Sequence, residues 1–520
     1  MAKVSIDNRE VEVPAGSTIL DAAEKLGLAI PRLCFMEGCK ASTSCMVCVV
    51  KVAGLGRLVP ACATAAKDGM RVESNSAEVR DARKAALELL LSDHLGDCMG
   101  PCQVTCPARM NIPLMIRQIA AGRLADAIVT VKKDIALPAV LGRICPKPCE
   151  KSCRRTVHDG AVSICLLKRY VADVDLRSER PYLPQCKPNR GKRVAIVGAG
   201  PAGLAGAYYL QQEGFGCTLF DDHEEPGGML RYGVVEDELP RDVLDREIAL
   251  IMKLGAEFRG QRRIGVALSM EDLRRDFDAV FVAVGQLKDG DDEAMGLDTG
   301  KRGIAVDTRT YETSVPGVFA GGEAVRNRKL AVRSVADGKE AAASIGQYLL
   351  GQPVTGPDRP FNTHIGRLQD GEIEMFLTDN VSGKSRLTPA AQGGGFCDEE
   401  ALDEAARCLH CDCRKAETCK LRRYAKEYTA RATRYKGSRR LFAQDLQHPE
   451  LIYEAGKCID CGICIQIGKQ AGEELGLTFV GRGFDVRVAV PFDRSLAEGL
   501  AKAARRCAEA CPTGALALKE

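Results

Sequence analysis

The chain has 520 residues, enough for about three or four domains, each with its own core. Lys+Arg number 73 against Asp+Glu 70, so the charge balance offers no field for nucleic acid or an anionic membrane, and no apolar run is long enough to span a bilayer. The start MAKVSIDNRE has no apolar export core, so a soluble cytoplasmic protein is expected; thiols stay reduced there, and 24 cysteines point to metal rather than disulfides.

Residues 3 to 13 alternate as strand, DNRE turn and strand, after which Thr18 and Asp21 form a capping box for a short helix that Gly27 ends. Cys34, Cys45, Cys48 and Cys62 follow with the spacing C-x10-C-x2-C-x13-C, in which a long loop wraps two irons and a distant thiolate closes the site. The pattern resembles the [2Fe–2S] ferredoxin domain at the start of the large iron–sulfur subunit of NADH dehydrogenase (complex I) and of related hydrogenases. Cys39 lies inside the loop but off the pattern and reads as a buried thiol. Residues 78 to 92, EVRDARKAALELLLS, place apolar positions at helical spacing and deliver His94 four residues before Cys98. His94 has two readings: a helix-end residue satisfied by solvent, or, as the same resemblance implies, a cluster ligand in an H-x3-C pair.

Seven cysteines then come in two bursts, CMGPCQVTCP and ICPKPCEKSC, with Cys165 further on. Asn111 and Pro113 suit a helix start between them, Gly122 a stop, and a second helix runs to Lys133. The whole stretch resembles the N-terminal cluster domain of the glutamate synthase small-chain family, which includes dihydropyrimidine dehydrogenase and the NADPH–ferredoxin transhydrogenases. That resemblance implies two [4Fe–4S] clusters held crosswise, one by Cys98, Cys102 and Cys153 with His94, the other by Cys106, Cys145 and Cys149. The family usually supplies a Glu or Gln as the last ligand. Here that position is Lys168, a cation that cannot bind iron. Cys165 lies one helical turn back on nearly the same face, so its thiolate replaces the carboxylate; the other reading is an apolar core cysteine.

KRVAIV, residues 192 to 197, reads as a buried parallel strand running into Gly198, Ala199, Gly200, Pro201, Ala202 and Gly203, and a helix follows. Asp221, after the next strand CTLFD, is placed to bind a ribose diol, and the glycines admit a pyrophosphate to a helix N-terminus. In EEPGGMLRYGV, residues Gly227, Gly228, Met229, Leu230 and Tyr232 resemble the flavin-facing loop of the same family, whose Ile-Pro is Val234-Val235 here. The strand ending at Gly285 and the segment SVPGVFAGGEAVRN, with Gly322 and Glu323, resemble its last FAD-binding parts. Family members place Asp at Glu323 to hold the ribityl chain. Between Gly285 and Gly303 the family inserts an NADPH domain, but this chain has only QLKDGDDEAMGLDTGKR, and no second G-x-G-x-x-G occurs.

After a Gly/Pro-rich linker around residues 351 to 372 come Cys408, Cys411, Cys413 and Cys419, four close thiols that suit [4Fe–4S] or structural zinc; the neighbouring redox sites favour iron. LRRYAKEYTARATRYKGSRR reads as a solvated helix covering a cluster rather than a nucleic-acid site. Cys458, Cys461 and Cys464 open as half of a bacterial ferredoxin, and Cys511-Pro512 closes the set, again resembling the complex I subunit. Cys507 has no partner pattern.

The expected architecture is multidomain α/β and α+β: a [2Fe–2S] β-grasp ferredoxin (1–77), a helical domain with two [4Fe–4S] clusters (78–185), a Rossmann-like FAD domain lacking the NADPH insertion (186–355), a linker with the Cys408–Cys419 segment (356–445) and a [4Fe–4S] ferredoxin-like domain (446–520). No Ser/His/Asp set or carboxylate pair suggests substrate chemistry. The resemblances therefore imply an electron-transfer subunit with FAD, one [2Fe–2S] and four [4Fe–4S] clusters. Its partners would be an NADH-oxidising flavoprotein, a hydrogenase- or formate-dehydrogenase-type subunit, and ferredoxin. The alternative is a self-contained NAD(P)H-dependent oxidoreductase like the glutamate synthase small chain.

Overall fold

The computed structural model describes residues 1–288, 290–378, 384–390 and 393–519. Residue 289 of the polar turn and residues 379–383, 391 and 392 of the expected linker segment lie outside them. The chain forms two compact units, one of Met1–Met99, Pro360–Asp379 and Cys411–Glu520, the other of Gly100–Arg359 and Asn380–His410.

The first unit begins with a mixed sheet in the order Arg9–Val13, Ala2–Ile6, Met70–Glu73, Val49–Val52, Leu58–Pro60. Asp7 and Asn8 take positive φ of 49° and 63°, the tight turn expected of DNRE, and the Asp7 carboxylate accepts the Ser74 N–H at 2.7 Å. Thr18 and Asp21 form the capping box of the helix Ile19–Lys25. The helix Ala77–Ser92 buries Val79, Leu87 and Leu91 together with two polar side chains. Arg83 donates to the Val49 carbonyl and to the Tyr428 hydroxyl, and Glu88 accepts from the Arg431 backbone and the Arg434 guanidinium. The basic stretch after Cys419 is thus a short helix, Lys420–Glu427, whose Leu421, Tyr424 and Ala425 are buried, followed by an arm anchored on the helix Ala77–Ser92. Two small antiparallel pairs complete the unit, Leu451–Tyr453 with Leu516–Leu518 and Thr478–Val480 with Arg487–Ala489.

The expected linker is not a free connection at Pro360–Asp379. Met99 N–H donates to Asn362 Oδ1 at 3.0 Å, Ile365 N–H to Asp97 Oδ1 at 2.9 Å, and Thr363 Oγ1 to the Gly96 carbonyl at 2.8 Å. Asn362, Thr363 and Ile365 of the stretch read as a linker are thus tied to the Gly96–Met99 loop, and the helix Glu372–Leu377 follows them.

The second unit joins helices to a five-stranded parallel sheet ordered Val318–Ala320, Ala279–Val282, Arg193–Val197, Gly216–Phe220, Glu257–Arg259. Its helices are Ile112–Ala120, capped by Asn111 as expected, Leu124–Lys132, Pro138–Ile144 and Ile164–Arg177 before the sheet, then Pro201–Gln212 and Ala331–Leu349 on one face of it. The last two approach closely because Gly338 lacks a side chain: a Cβ there would collide with the Ala202 carbonyl. One hydrophobic core runs through the helical part and the sheet. A buried carboxylate ties them further, since Glu247 accepts the N–H groups of Ala139 and Val140 at 2.9 and 2.8 Å at the start of the helix Pro138–Ile144, and burial raises its pKa to about 7. Among the described residues no helix is long and apolar enough to cross a membrane.

Candidate iron–sulfur and flavin sites

Cys34, Cys45, Cys48 and Cys62 are all buried and lie together, with the Cys48 and Cys62 sulfurs 3.4 Å apart. A hydrogen bond from Cys45 holds Cys34 down to about 5, and one from Cys62 holds Cys48 to about 7, while Cys45 and Cys62 are pushed up. Four sulfurs this close cannot all ionise without a cation, which is the donor set two bridged irons require. Cys39 stays outside this group, beside the Gln470 amide.

Cys106, Cys145, Cys149 and Cys165 line one small buried pocket together with Lys168 and Val332. Cys165 opens the helix Ile164–Arg177, its N–H held by Glu150 Oε1 at 3.0 Å. Its thiol hydrogen-bonds the Cys145 sulfur, which raises Cys165 and lowers Cys145 to about 7; burial lifts Cys149 to about 12. Lys168 does not reach in as a ligand. It is buried, donates to the Leu141 carbonyl at 3.1 Å, and although burial opposes its charge the four surrounding sulfurs raise its pKa. A buried cation beside four thiolates fits an anionic cluster.

Cys458, Cys461, Cys464 and Cys511 line a further pocket with Tyr453 and Thr513. Burial pushes Cys461 up to about 12 and the Cys458 and Cys464 thiols well above their ordinary value. Cys507 points elsewhere, its sulfur 3.7 Å from the Cys464 carbonyl, in keeping with its lack of a partner in the sequence.

Of the thiols expected in the Cys408–Cys419 set, Cys408 belongs to the second unit and Cys411, Cys413 and Cys419 to the first. Cys98 also belongs to the first unit, whereas Cys102 and Cys153 belong to the second. The chain leaves the first unit after Met99, returns to it over Pro360–Asp379, leaves it again and re-enters it at Cys411. Cys413 N–H donates to the Cys98 carbonyl at 3.4 Å, and the Cys98 sulfur lies 3.3 Å from Thr363 Oγ1. In the second unit Arg155, two residues past Cys153, donates to the carbonyl of Arg407, the neighbour of Cys408. Sequence reasoning passed over Thr363, Arg155 and Lys457, because each acts through packing that no spacing announces.

The nucleotide loop follows the strand Arg193–Val197. A Cβ at Gly203 would collide with the Gly198 carbonyl and one at Gly198, whose φ is +107°, with the Ala283 carbonyl, so both must be glycine. Gly200 differs: its nearest neighbour would be Gly228 Cα at 4.0 Å, leaving an open cradle before the helix Pro201–Gln212, which has no side-chain cap. Gly285, at φ +79°, also faces open space. A cleft lined by Gly198, Asp221, Arg262, Arg263 and Lys288 continues from the loop. Open backbone N–H groups at a helix start fit a pyrophosphate. Asp221 Oδ2 accepts the Ala199 N–H at 2.6 Å and Oδ1 accepts from the His223 backbone at 3.0 Å, so the residue expected at a ribose also holds the loop. Gly227 and Gly228 turn the chain into the short helix Met229–Tyr232, where Leu230 is buried, Met229 and Tyr232 are exposed, and Tyr232 stacks on His223. Gly322 N–H donates to the buried Asp337, and Glu323 uses its carboxylate on its own loop, accepting from Arg328, Lys329 and Leu330 at 2.8, 3.0 and 3.4 Å. This bracing role was not foreseen for Glu323.

Four family models match stretches of this chain. Residues 1–77 match a 2Fe-2S iron-sulfur cluster binding domain and residues 92–180 the dihydropyrimidine dehydrogenase domain II, 4Fe-4S cluster. Residues 196–257 match an NAD(P)-binding Rossmann-like domain and residues 234–338 a pyridine nucleotide-disulphide oxidoreductase. The chain is 40% identical over 206 residues to the NADPH-Fe(3+) oxidoreductase subunit beta of Geobacter sulfurreducens, covering 39% of this chain and 31% of that one. It is 37% identical over 240 residues to the NADP(+)-dependent formate dehydrogenase subunit beta of Moorella thermoacetica, covering 42% and 32%. With the glutamate synthase [NADPH] small chain of Bacillus subtilis it shares 36% identity over 210 residues, 40% and 42% of the two chains. The chain thus spans about a third of the length of the first two relatives and under half of the third. Over the stretch aligned, it is a homologue of the glutamate synthase small chain and of these two oxidoreductase beta subunits, and it carries 2Fe–2S, 4Fe–4S and nucleotide-binding oxidoreductase domains.

Proposed function

We propose that this chain is a cytoplasmic electron-transfer subunit of a larger redox complex, holding one FAD, one [2Fe–2S] and four [4Fe–4S] clusters, with no nicotinamide domain of its own. The observation that carries this reading is Val332. It lies on the helix Ala331–Leu349, directly after the loop braced by Glu323, and it also lines the pocket of Cys106, Cys145, Cys149 and Cys165. The four-thiol pocket is therefore lined by a residue of the helix that follows the Glu323 loop of the proposed flavin site.

Each group of residues has a part in this reading. Gly198, Gly200 and Gly203, with the N-terminus of the helix Pro201–Gln212, hold the pyrophosphate; Gly227, Gly228, Met229, Leu230 and Tyr232 flank the flavin ring. The clustered thiols bind iron, and Lys168 offsets the negative charge of its cluster. When bound, FAD exchanges electrons in pairs and the clusters carry them singly, with the protein setting position and potential. Such a subunit needs partners at both ends: a flavoprotein that oxidises NADH, and a hydrogenase- or formate-dehydrogenase-type subunit or ferredoxin. The oxidoreductase beta-subunit names of the relatives support this placement. The nicotinamide nucleotides in their names favour the alternative, a chain that itself reacts with NAD(P)H.

Protein purified without oxygen should contain about one FAD and, by the cluster stoichiometry, about eighteen irons. Near-stoichiometric zinc, or a preparation that takes up no flavin on reconstitution, would count against the reading.

A further inference from the structure

We propose that His94, Cys98, Cys413 and Cys419 together hold one [4Fe–4S] cluster, a ligand set assembled from two segments that the chain's excursion through Gly100–Arg359 and Asn380–His410 keeps far apart in sequence. The inference rests on reading the chain as an iron–sulfur protein but departs from both groupings that the sequence suggested, Cys98 with Cys102 and Cys153, and Cys413 and Cys419 with Cys408.

All four residues belong to the first unit. The Cys98–Cys413 backbone bond at 3.4 Å sets the two segments side by side, and Leu95 N–H donates to the Gly456 carbonyl at 2.7 Å beneath them. Lys457 marks the centre. Its stem crosses Gly96 so closely that a Cβ there would collide with it. A Cβ at Gly514 would meet both the Cys413 sulfur and, at 3.7 Å, the Lys457 Cδ, so the lysine and the Cys413 thiol flank the same glycine. The Lys457 ammonium is buried and paired with Glu454. Cys98 lies within electrostatic range of both Cys413 and Cys419, Cys413 within range of Cys419, and Lys457 within range of Cys413. The cation beside this group repeats the arrangement of Lys168 in the pocket of Cys106, Cys145, Cys149 and Cys165.

His94 supplies the fourth donor. Its Nδ1 is inaccessible to solvent and has no hydrogen-bond partner among the described residues, and its ring lies within range of the Lys457 charge. A buried imidazole nitrogen left unpaired is costly unless it binds something. Support for a ligating sulfur is also present: Cys419 Sγ accepts the Arg422 N–H at 3.4 Å at the start of the helix Lys420–Glu427, while Thr363 Oγ1, whose hydroxyl donates to the Gly96 carbonyl, lies 3.3 Å from Cys98 Sγ. Hydrogen bonds to sulfur stabilise ligating thiolates and tune the cluster they hold. Cys102, Cys153 and Cys408 then remain together in the second unit, joined through Arg155 and the Arg407 carbonyl.

The test uses the full-length, cluster-loaded protein and pulsed EPR of its reduced state. One [4Fe–4S] signal should carry nitrogen hyperfine coupling. H94C should remove that coupling while keeping the iron content. Cys413→Ser and Cys419→Ser should shift or abolish the same signal, with a loss of up to about four irons. Cys153→Ser and Cys408→Ser should change another signal and leave the nitrogen coupling intact. A variant that drops its cluster is still informative, because the surviving signals identify which one was lost. If Cys413→Ser spares the nitrogen-coupled signal and alters the one sensitive to Cys408→Ser, the proposed set is wrong. If wild-type protein shows clusters but none with nitrogen coupling, His94 is not a ligand and the set is likewise overturned. A wild-type chain that holds no [4Fe–4S] at all would instead bring down the iron–sulfur reading itself.

Discussion

Replacing Cys165 by Ser should lower the iron content by one to about four per chain, either converting one [4Fe–4S] cluster to a three-iron form or emptying its pocket. The expectation follows from the position of the sulfur. Cys165 lies in the first turn of Ile164–Arg177, hydrogen-bonded to the Cys145 thiol, in a pocket that Cys106 and Cys149 complete. Lys168, which occupies the place where a carboxylate or amide ligand is usual in similar proteins, is directed to the Leu141 carbonyl and adds positive charge. A serine at 165 keeps the volume but presents a weaker iron donor, so loss falls on a single corner of a single cluster. Two other buried cysteines serve as controls. Cys217 sits on the strand Gly216–Phe220 with its sulfur near the Phe215 carbonyl, and Cys507 sits outside the pocket of Cys458, Cys461, Cys464 and Cys511. Cys217→Ser and Cys507→Ser should keep full iron. Equal iron in all three variants would mean that the fourth ligand comes from elsewhere.

A second large effect concerns the nicotinamide nucleotides. The isolated FAD-loaded chain should be reduced by neither NADPH nor NADH, with flavin bleaching no faster than in a nucleotide-free control. A dinucleotide needs a strand, a glycine turn and a helix start, and one such unit takes about thirty residues or more. The described residues contain one parallel sheet with one such loop, Gly198 to Gly203, and the cleft beside it continues toward Gly285 and Lys288. Between Gly285 and Gly303 the described residues make the short helix Asp291–Met295 and the pairing of Thr299–Gly300 with Gly303–Ile304. Rapid bleaching by either nucleotide in a stopped-flow mixing experiment would restore the reading of a self-contained NAD(P)H-dependent oxidoreductase.

Much of the local structure is legible in the sequence because it depends on neighbours in the chain. The Thr18–Asp21 capping box, the Asn111 cap, the Gly122 stop and the strand–glycine–helix at Gly198 all follow from short-range chemistry, and each forms where its residues predict. The groupings of Cys106, Cys145 and Cys149, and of Cys458, Cys461 and Cys464 with Cys511, came from resemblance to known families and that of Cys165 from helical spacing, and each set lines one pocket. What spacing misleads about is membership across an insertion. Cys408 and Cys413 are neighbours in sequence, yet the boundary between the two units passes between them, and the Cys98 segment is joined by residues that arrive only after the long excursion. The stretch read as a linker, around residues 351 to 372, differs for a related reason. Its Gly and Pro residues suggest a spacer, but its value lies in hydrogen bonds to the Gly96–Met99 loop that no local pattern encodes. Lys457 was likewise invisible, because its burial depends on Gly96 having no side chain.

The central claim is that electrons pass between the flavin and the clusters within this chain. Anaerobic photoreduction of the FAD-loaded, cluster-loaded protein by a deazaflavin sensitiser, followed by freeze-quench EPR, tests it most directly. If the pocket of Cys106, Cys145, Cys149 and Cys165, which Val332 also lines, exchanges electrons with the flavin, reduced [4Fe–4S] signals should grow as the flavin absorbance falls, and Cys165→Ser should slow or remove the first signal to appear. A flavin that bleaches fully while every cluster stays oxidised, although dithionite then reduces them, would contradict the account.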